Sequence, residues 1–372
     1  MVQNVVIVGA GPAGITIALQ LAPKLDPSKH QLILISERPF FSHIIAGLRA
    51  NVTTDGQLED RAFLPLDKFF RPGRPGKFVQ GRVERADGEH VYLENGESIP
   101  YAALIITTGS NWRGMLNFPH TKEELHKSLD TWREKFKTAK SVLIIGGGAV
   151  GLELAGEVLE YYPKTEVTLV HGQKLLLNPA YPDSFRKRLG DQFTKAGVKV
   201  LLDQTVLDVT ADLTADLTGP VKTSKGEELN ADVIIQAVGP TPNTTVVATL
   251  DPSVITPDSR VKVLPTLQVP LASGKRNVFV AGDIVDIQEQ HSSIRAAAHA
   301  PIVVANVLSV LNGKDAAKKY KSGPEIIMLT RGKTGGLGYA GFLCGLTFPS
   351  WLVGTLKGKD LLTNLTHKTL GY

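Results

Sequence analysis

The sequence predicts an α/β chain made of two three-layer, parallel-sheet units, the second inserted in the first, followed by a small α+β region. Three observations carry this. A glycine-rich turn between an apolar strand and an apolar helix occurs twice, in VVIVGAGPAGITIAL from Val5 and in VLIIGGGAVGLELAGE from Val142. Each turn opens a block of strand, turn, helix, strand and extended meander, which closes on a strand ending in glycine, Gly109 in YAALIITTGSN and Gly239 in ADVIIQAVGPTPN. One further apolar strand, NVFVAGDIVD, comes after the second block. Such a duplication is the pattern of paired Rossmann-like units.

Taken in order, Val5 to Val8 form an unbroken apolar run, as a parallel strand buried on both faces requires. Gly9 to Gly14 make the turn, and Ile15 to Leu21 have helical spacing. QLILISE is a second strand, ending at Glu37. After a polar, proline-rich stretch, the segments GRVERAD, HVYLEN and SIPYAALIITTGS are separated by Asp87-Gly88 and Asn95-Gly96, so they read as a meander leading into a buried strand. The second block has strand SVLIIGGG, helix 149–159, strand TEVTLVHG, helix 183–196 and extended VKVLLDQTVLDV. Residues 294–311 form an Ala/Val-rich helix. Beyond about Gly313 the chain becomes rich in Gly, Leu and aromatic residues with interspersed lysines.

At 372 residues and 42% hydrophobic content the chain can fill a core divided over two or three domains. Its net charge of +5 is a mild excess, compatible with anionic nucleotides or membrane surfaces, and no lysine or arginine run resembles a nucleic-acid arm. The single cysteine, Cys344, excludes a disulfide framework and a Cys-x-x-Cys pair within the chain, and the nine histidines lack metal-site spacing, so no metal is expected. The opening MVQNVVIVGAG predicts neither a signal nor a transit peptide, and Val2 stands where myristoylation needs glycine. No apolar run of 18 residues is read, so the expectation is a cytoplasmic protein without a bilayer span.

In Gly9-Ala10-Gly11-Pro12-Ala13-Gly14, the first glycine permits the tight turn, Gly11 lets N–H groups approach a pyrophosphate, and Gly14 lets the helix pack on the strand. The helix N-terminus then faces the phosphates. Glu37 is placed to hydrogen-bond a ribose. The second turn uses Gly146, Gly148 and Gly151 and continues into Glu153, Gly156 and Glu157. Its next strand ends at His171, where an acid would select NADH. With Lys174 nearby this histidine could face a 2′-phosphate or remain a loop residue, so NADH and NADPH both stay open. Two dinucleotide sites imply two dinucleotides, and the usual pair between which hydride passes is a nicotinamide and a flavin. An empty second copy is the rival reading. Asp283, after the Ala281-Gly282 step, can accept hydrogen bonds from a sugar-alcohol chain such as ribityl, or can cap a helix. The Ala-rich helix after it could face the flavin pyrimidine.

The order of these motifs resembles the FAD-dependent pyridine nucleotide oxidoreductases. Within them, FFSHIIAGLRANV, GGGAVGLELAGE, YPKTEVTLVHGQ and KGKDLLTNLTHKTL look most like the ferroptosis suppressor protein branch. The resemblance covers essentially the full chain. It implies FAD cradled by Gly9 to Ala13, contacted by Arg49, held at its adenine by the backbone of Val83 and along its ribityl chain by Asp283. It places Glu153 beside the nicotinamide pocket and brings Lys368 back to the flavin region. His299 is read as lining the flavin pocket or as a buried structural histidine.

The expected architecture assigns residues 1–110 and 265–310 to FAD, 111–264 to NAD(P)H, and 311–372 to a region covering the flavin. The expected activity is hydride transfer from nicotinamide to flavin and on to a quinone-like acceptor, with Glu153 and Lys368 orienting the rings. Residues 335–362 mix Tyr339, Phe342, Phe348 and Trp351 with Lys357 and Lys359. That suits a quinone groove or a peripheral contact with a membrane such as the mitochondrial outer membrane or a lipid droplet, or else packing on the flavin domain or on a second copy in a homodimer. Two rivals stay open: a reductase of a small electron-transfer protein docking on Arg71, Arg74 and Lys77, and an NADH-sensing, death-signalling flavoprotein.

Overall fold

Val5 and Ile7 face one side of the first sheet and Val6 and Val8 the other, and all four are buried. This explains an apolar run without alternation. The computed structural model describes residues 2–207, 209, 217, 219–342 and 345–372, so Cys344 lies outside the described residues. The first sheet has strands Gln3–Val8, His30–Ser36, Lys77–Gln80, Ala103–Ile106 and Val278–Val280, all parallel, in the spatial order third, second, first, fourth, fifth. Helices Pro12–Leu21 and Ala300–Leu311 cover one face. The meander Val83–Ala86, His90–Leu93, Ser98–Pro100 covers the other.

The second sheet repeats the plan. Strands Ser141–Ile145, Glu166–His171, Lys199–Leu202 and Val233–Gln236 are parallel in the order third, second, first, fourth. Among the described residues its meander shows the antiparallel pair Val221–Lys222 and Glu228–Leu229. Asp208, near the end of the expected extended run, falls outside the described residues. The chain crosses into this unit at Ser110–Asn111 and returns at Thr241–Pro242, and the two crossings pair antiparallel. Val246, Val247, Val254 and Val261 pack beneath the first sheet. The expected boundary at 264 therefore moves back to about 242, because the chain has already rejoined the first core.

Three further differences bear on the site. Helices Ile44–Val52 and Lys122–Thr138 were not anticipated, and they pack on each other and on the second glycine helix, Ala149–Tyr161, in one shared core. The expected 294–311 helix is broken at His299 into Ser293–Ala298 and Ala300–Leu311, with Pro301 opening the second piece. Together residues 293–311 are long and apolar enough to cross a membrane by length and composition alone, although the stretch is interrupted by Arg295, His299 and Asn306. Ile302, Val303, Val304 and Val307 are buried against the first glycine helix, so this segment is a core helix of the fold.

The C-terminal region begins with an antiparallel sheet, Ile326–Arg331, Gly335–Ala340 and Leu346–Phe348. A short helix, Ser350–Val353, runs into a π-helical turn, Gly354–Gly358, and helix Thr363–Leu370 ends it. Arg71 and Arg74 donate to the carbonyls of Gly371 (2.7 Å) and Leu370 (3.0 Å), and Arg61 donates to Thr363 and Asn364. Tyr339 packs against Tyr181 and Phe185, with centroids 6.1 and 5.4 Å apart. The aromatic packing offered as an alternative is thus present, though on the inserted unit rather than the flavin unit.

Candidate functional site

Both glycine turns open into one cavity of about 1420 Å³ that runs between the two sheets. A pocket for one drug-sized ligand spans some 300–1,000 Å³, so this volume has room for more than one. Gly9 has φ +103°, and a Cβ there would lie 2.4 Å from the Thr107 carbonyl oxygen. A Cβ on Gly14 would meet the Gly9 carbonyl oxygen at 2.0 Å, which only glycine avoids. Gly14 and its counterpart Gly151 accordingly do not line the cavity; they seat the helices. A Cβ on Gly11 or Gly148 would meet no protein atom within 4 Å, so these two face the open space that a pyrophosphate would fill. The cradle fits two dinucleotides.

Of the other expected residues, Ala10, Pro12, Ala13, Glu37, Val83, Gly109, Gly146, Gly239, Gly282 and Asp283 line the same cavity. Glu37 stands beside Arg38, 3.1 Å away, and His120, 3.8 Å away, at the outer end. Asp283 accepts from the Ser110 hydroxyl at 3.0 Å. His171 lines the cavity too, but both ring nitrogens are used. The Gly147 N–H donates to Nδ1 (3.2 Å), and Nε2 donates to the Leu177 carbonyl (3.1 Å). Burial pushes this imidazole below its ordinary range. Lys174 is exposed and outside the lining.

Two expected residues lie elsewhere. Arg49 does not touch the cavity; it is 2% exposed and points into the junction of three regions. Its Nε and Nη2 donate to Glu157 at 2.7 and 2.9 Å, and Nη1 donates to the Gly358 carbonyl at 2.8 Å. Burial alone would lower this guanidinium's pKa, but the Glu157 hydrogen bonds and charge more than reverse that. Lys368 is exposed on the last helix, away from the lining.

The lysine that reaches the cavity is Lys357, on the π turn. Its Nζ donates to Glu153 Oε1 at 2.7 Å and to the Met328 carbonyl at 2.8 Å. The Thr330 N–H and hydroxyl donate to the same Oε1, both at 3.0 Å. An ammonium has three N–H donors, so Lys357 keeps one for a ligand, and Glu153 keeps Oε2. Gly354 and Gly358 allow this turn to lie against the strand loop: a Cβ on either would come within 2.4 Å of a carbonyl oxygen of Thr334 or Lys333. The sequence contained that signal, since Lys357 stands between those two glycines. The neighbouring wall is apolar, formed by Ile326, Ile327, Met328 and Leu329.

Residues 3–300 match the family described as pyridine nucleotide-disulphide oxidoreductase. A Flammulina velutipes protein named FAD-dependent oxidoreductase FVFD30 is 40% identical, over 86% of this chain and 98% of its own length. Homo sapiens ferroptosis suppressor protein 1 is 28% identical, over 99% of this chain and 95% of its own. The solved sulfide:quinone oxidoreductase of Aquifex aeolicus superposes with a TM-score of 0.76 at 18% identity, covering 99% of this chain and 91% of that one.

Proposed function

Since the chain belongs to the pyridine nucleotide-disulphide oxidoreductase family, and so binds FAD and uses NAD(P)H, we propose that it passes electrons from the nicotinamide through the flavin to a quinone-like acceptor. One observation carries this reading: the Glu153–Lys357 pair borders an apolar cavity wall, with a free ammonium donor and a free carboxylate oxygen. FAD, when bound, supplies the ring that takes up hydride and releases electrons. The two glycine turns hold the anionic halves of both dinucleotides, which fixes the approach of their rings. Glu153 Oε2 accepts from a nicotinamide carboxamide and orients it. Lys357 places positive charge, and a transferable proton, where an acceptor carbonyl gains electrons. With one cysteine in the whole sequence, no dithiol relays the electrons.

The apolar wall beside the Glu153–Lys357 pair supports the acceptor class. Docking of a small electron-transfer protein on Arg71, Arg74 and Lys77 is disfavoured, because the two arginines are spent pinning the tail helix. Anaerobic stopped flow separates the half-reactions. Glu153→Gln is expected to slow NADH-dependent flavin reduction by about tenfold, and Lys357→Met to leave it within about threefold while slowing quinone-dependent reoxidation roughly a hundredfold. Equal quinone turnover by Lys357→Met and the parent protein would sink the acceptor assignment.

We also propose that the C-terminal region rests on a membrane surface. Phe342, Leu346, Trp351 and Leu356 are exposed there, Leu356 immediately before Lys357. Flotation with anionic vesicles is expected to carry the protein, and Trp351→Glu with Leu356→Glu to abolish it; flotation unchanged by both substitutions rejects the contact.

A further inference from the structure

His299 sits at the break between the two last-core helices, is 1% exposed, and does not line the cavity. The Gly282 N–H donates to its Nδ1 at 3.0 Å, and its Nε2 lies 3.0 Å from Glu289 Oε1. An acceptor at Nδ1 leaves the ring hydrogen on Nε2, which donates to the carboxylate, so the hydrogen-bond pattern assigns the tautomer. Glu289 Oε2 accepts from the hydroxyls of Tyr320 (2.7 Å) and Ser322. Burial would raise this carboxyl, but hydrogen bonds from His299, Ser322 and Tyr320 outweigh it and draw its pKa down to about 2. It is an ionised acceptor near neutral pH.

The bond from Gly282 matters because the next residue is Asp283. Gly282, at φ +84°, begins the turn that presents that carboxylate to the cavity. Asp283 is held from three directions. Its carboxylate accepts from Ser110, its carbonyl accepts from Arg260 at 2.7 Å, and the Ala281–Gly282 peptide, one residue ahead of it, is held by His299. Packing alone would fix the volume at position 299 but not an acceptor at Nδ1.

We infer that Glu289 and His299 form a positioning dyad for the flavin: the carboxylate sets the imidazole tautomer, the imidazole holds the Gly282 peptide, and that peptide sets where Asp283 meets the cofactor's sugar-alcohol chain. Neither residue touches the cofactor. The inference rests on FAD lying along Asp283, and it is independent of the acceptor.

The test dilutes purified holoenzyme and follows FAD release by flavin fluorescence, with no nicotinamide or quinone present. Leaving the Gly282 N–H buried without a partner is expected to weaken FAD binding about tenfold or more in His299→Leu. His299→Asn, whose Oδ1 can take the place of Nδ1, is expected to recover most of the affinity. Glu289→Gln keeps an acceptor for Nε2–H and should bind FAD like the parent, whereas Glu289→Leu should resemble His299→Leu. Tyr320→Phe, which removes a different bond to Glu289, should stay within about twofold. Imidazole ¹⁵N shifts of the holoenzyme should show Nε2–H alone, and a mixture of tautomers in Glu289→Leu. This reading stands without the position 299 variants if those do not fold. The dyad is overturned if Asp283→Ala loses FAD while His299→Leu and Glu289→Leu retain it, or if the parent ring carries its hydrogen on Nδ1. Full FAD affinity in Asp283→Ala would instead overturn the placement of the flavin itself.

Discussion

Arg49 and Glu157 are 108 residues apart in sequence and form a bidentate pair with almost no solvent access. Breaking one side leaves a buried charge, which typically costs about 3–5 kcal/mol. Arg49→Met is therefore expected to lower apoprotein stability by that amount in urea titration, and Arg49→Met combined with Glu157→Leu to recover much of it. FAD affinity at low temperature should hardly move. Parent-like stability with weakened FAD binding would restore the contact that the sequence implied. The contrast shows what a sequence can carry. The glycine turns are legible because each job, a left-handed φ or a close backbone approach, falls on a residue at a fixed local spacing. A pair joined through the fold has no such signature, whereas Lys357 is set apart from Lys368 in the same tail by the close-approach glycines around it, Gly354 and Gly358.

Among the elements, helix Lys122–Thr138 carries its own signature in the sequence. Thr121 caps it, the Glu124 N–H donating to the Thr121 hydroxyl oxygen at 3.2 Å and that hydroxyl donating to Glu124 Oε2 at 2.9 Å. Leu125, Leu129, Trp132 and Phe136 recur every three or four residues and are buried. Thr121→Ala is expected to cost about 1 kcal/mol, read as a lower denaturation midpoint; an unmoved midpoint would mean that packing alone starts this helix. The break at His299 was harder to foresee. Pro301 has no N–H to give the carbonyl four residues back, so the helix ends before it and restarts with the proline in its first turn.

For the molecule as a whole, acid is the revealing stress. Burial pushes the pKa values of His43, His171 and His291 below their ordinary 6.5. The unfolded chain takes up protons on these rings near pH 6.5 while the folded chain does so only lower down. Stability is thus fully present above about 6.5 and declines as pH falls through the folded values. Glu289 behaves as a second step, its contribution intact above about 4.5 and lost as pH approaches 2. Denaturant midpoints from pH 8 to 3 are expected to fall in two stages, with the lower one smaller in Glu289→Gln but not abolished, since Asp87 is also held down to about 2 by its bond from Tyr92; a flat profile from 8 to 5 would contradict the buried neutral histidines. A last consequence comes from the second glycine helix. Glu153 and Glu157 are four residues apart, one turn of the same rod, so the clamp that joins three regions and the carboxylate that lines the cavity share a single backbone. Slackening the joint must swing the working end with it, and a mutagenesis library spread over position 157 would register as lost turnover although that side chain never meets a substrate.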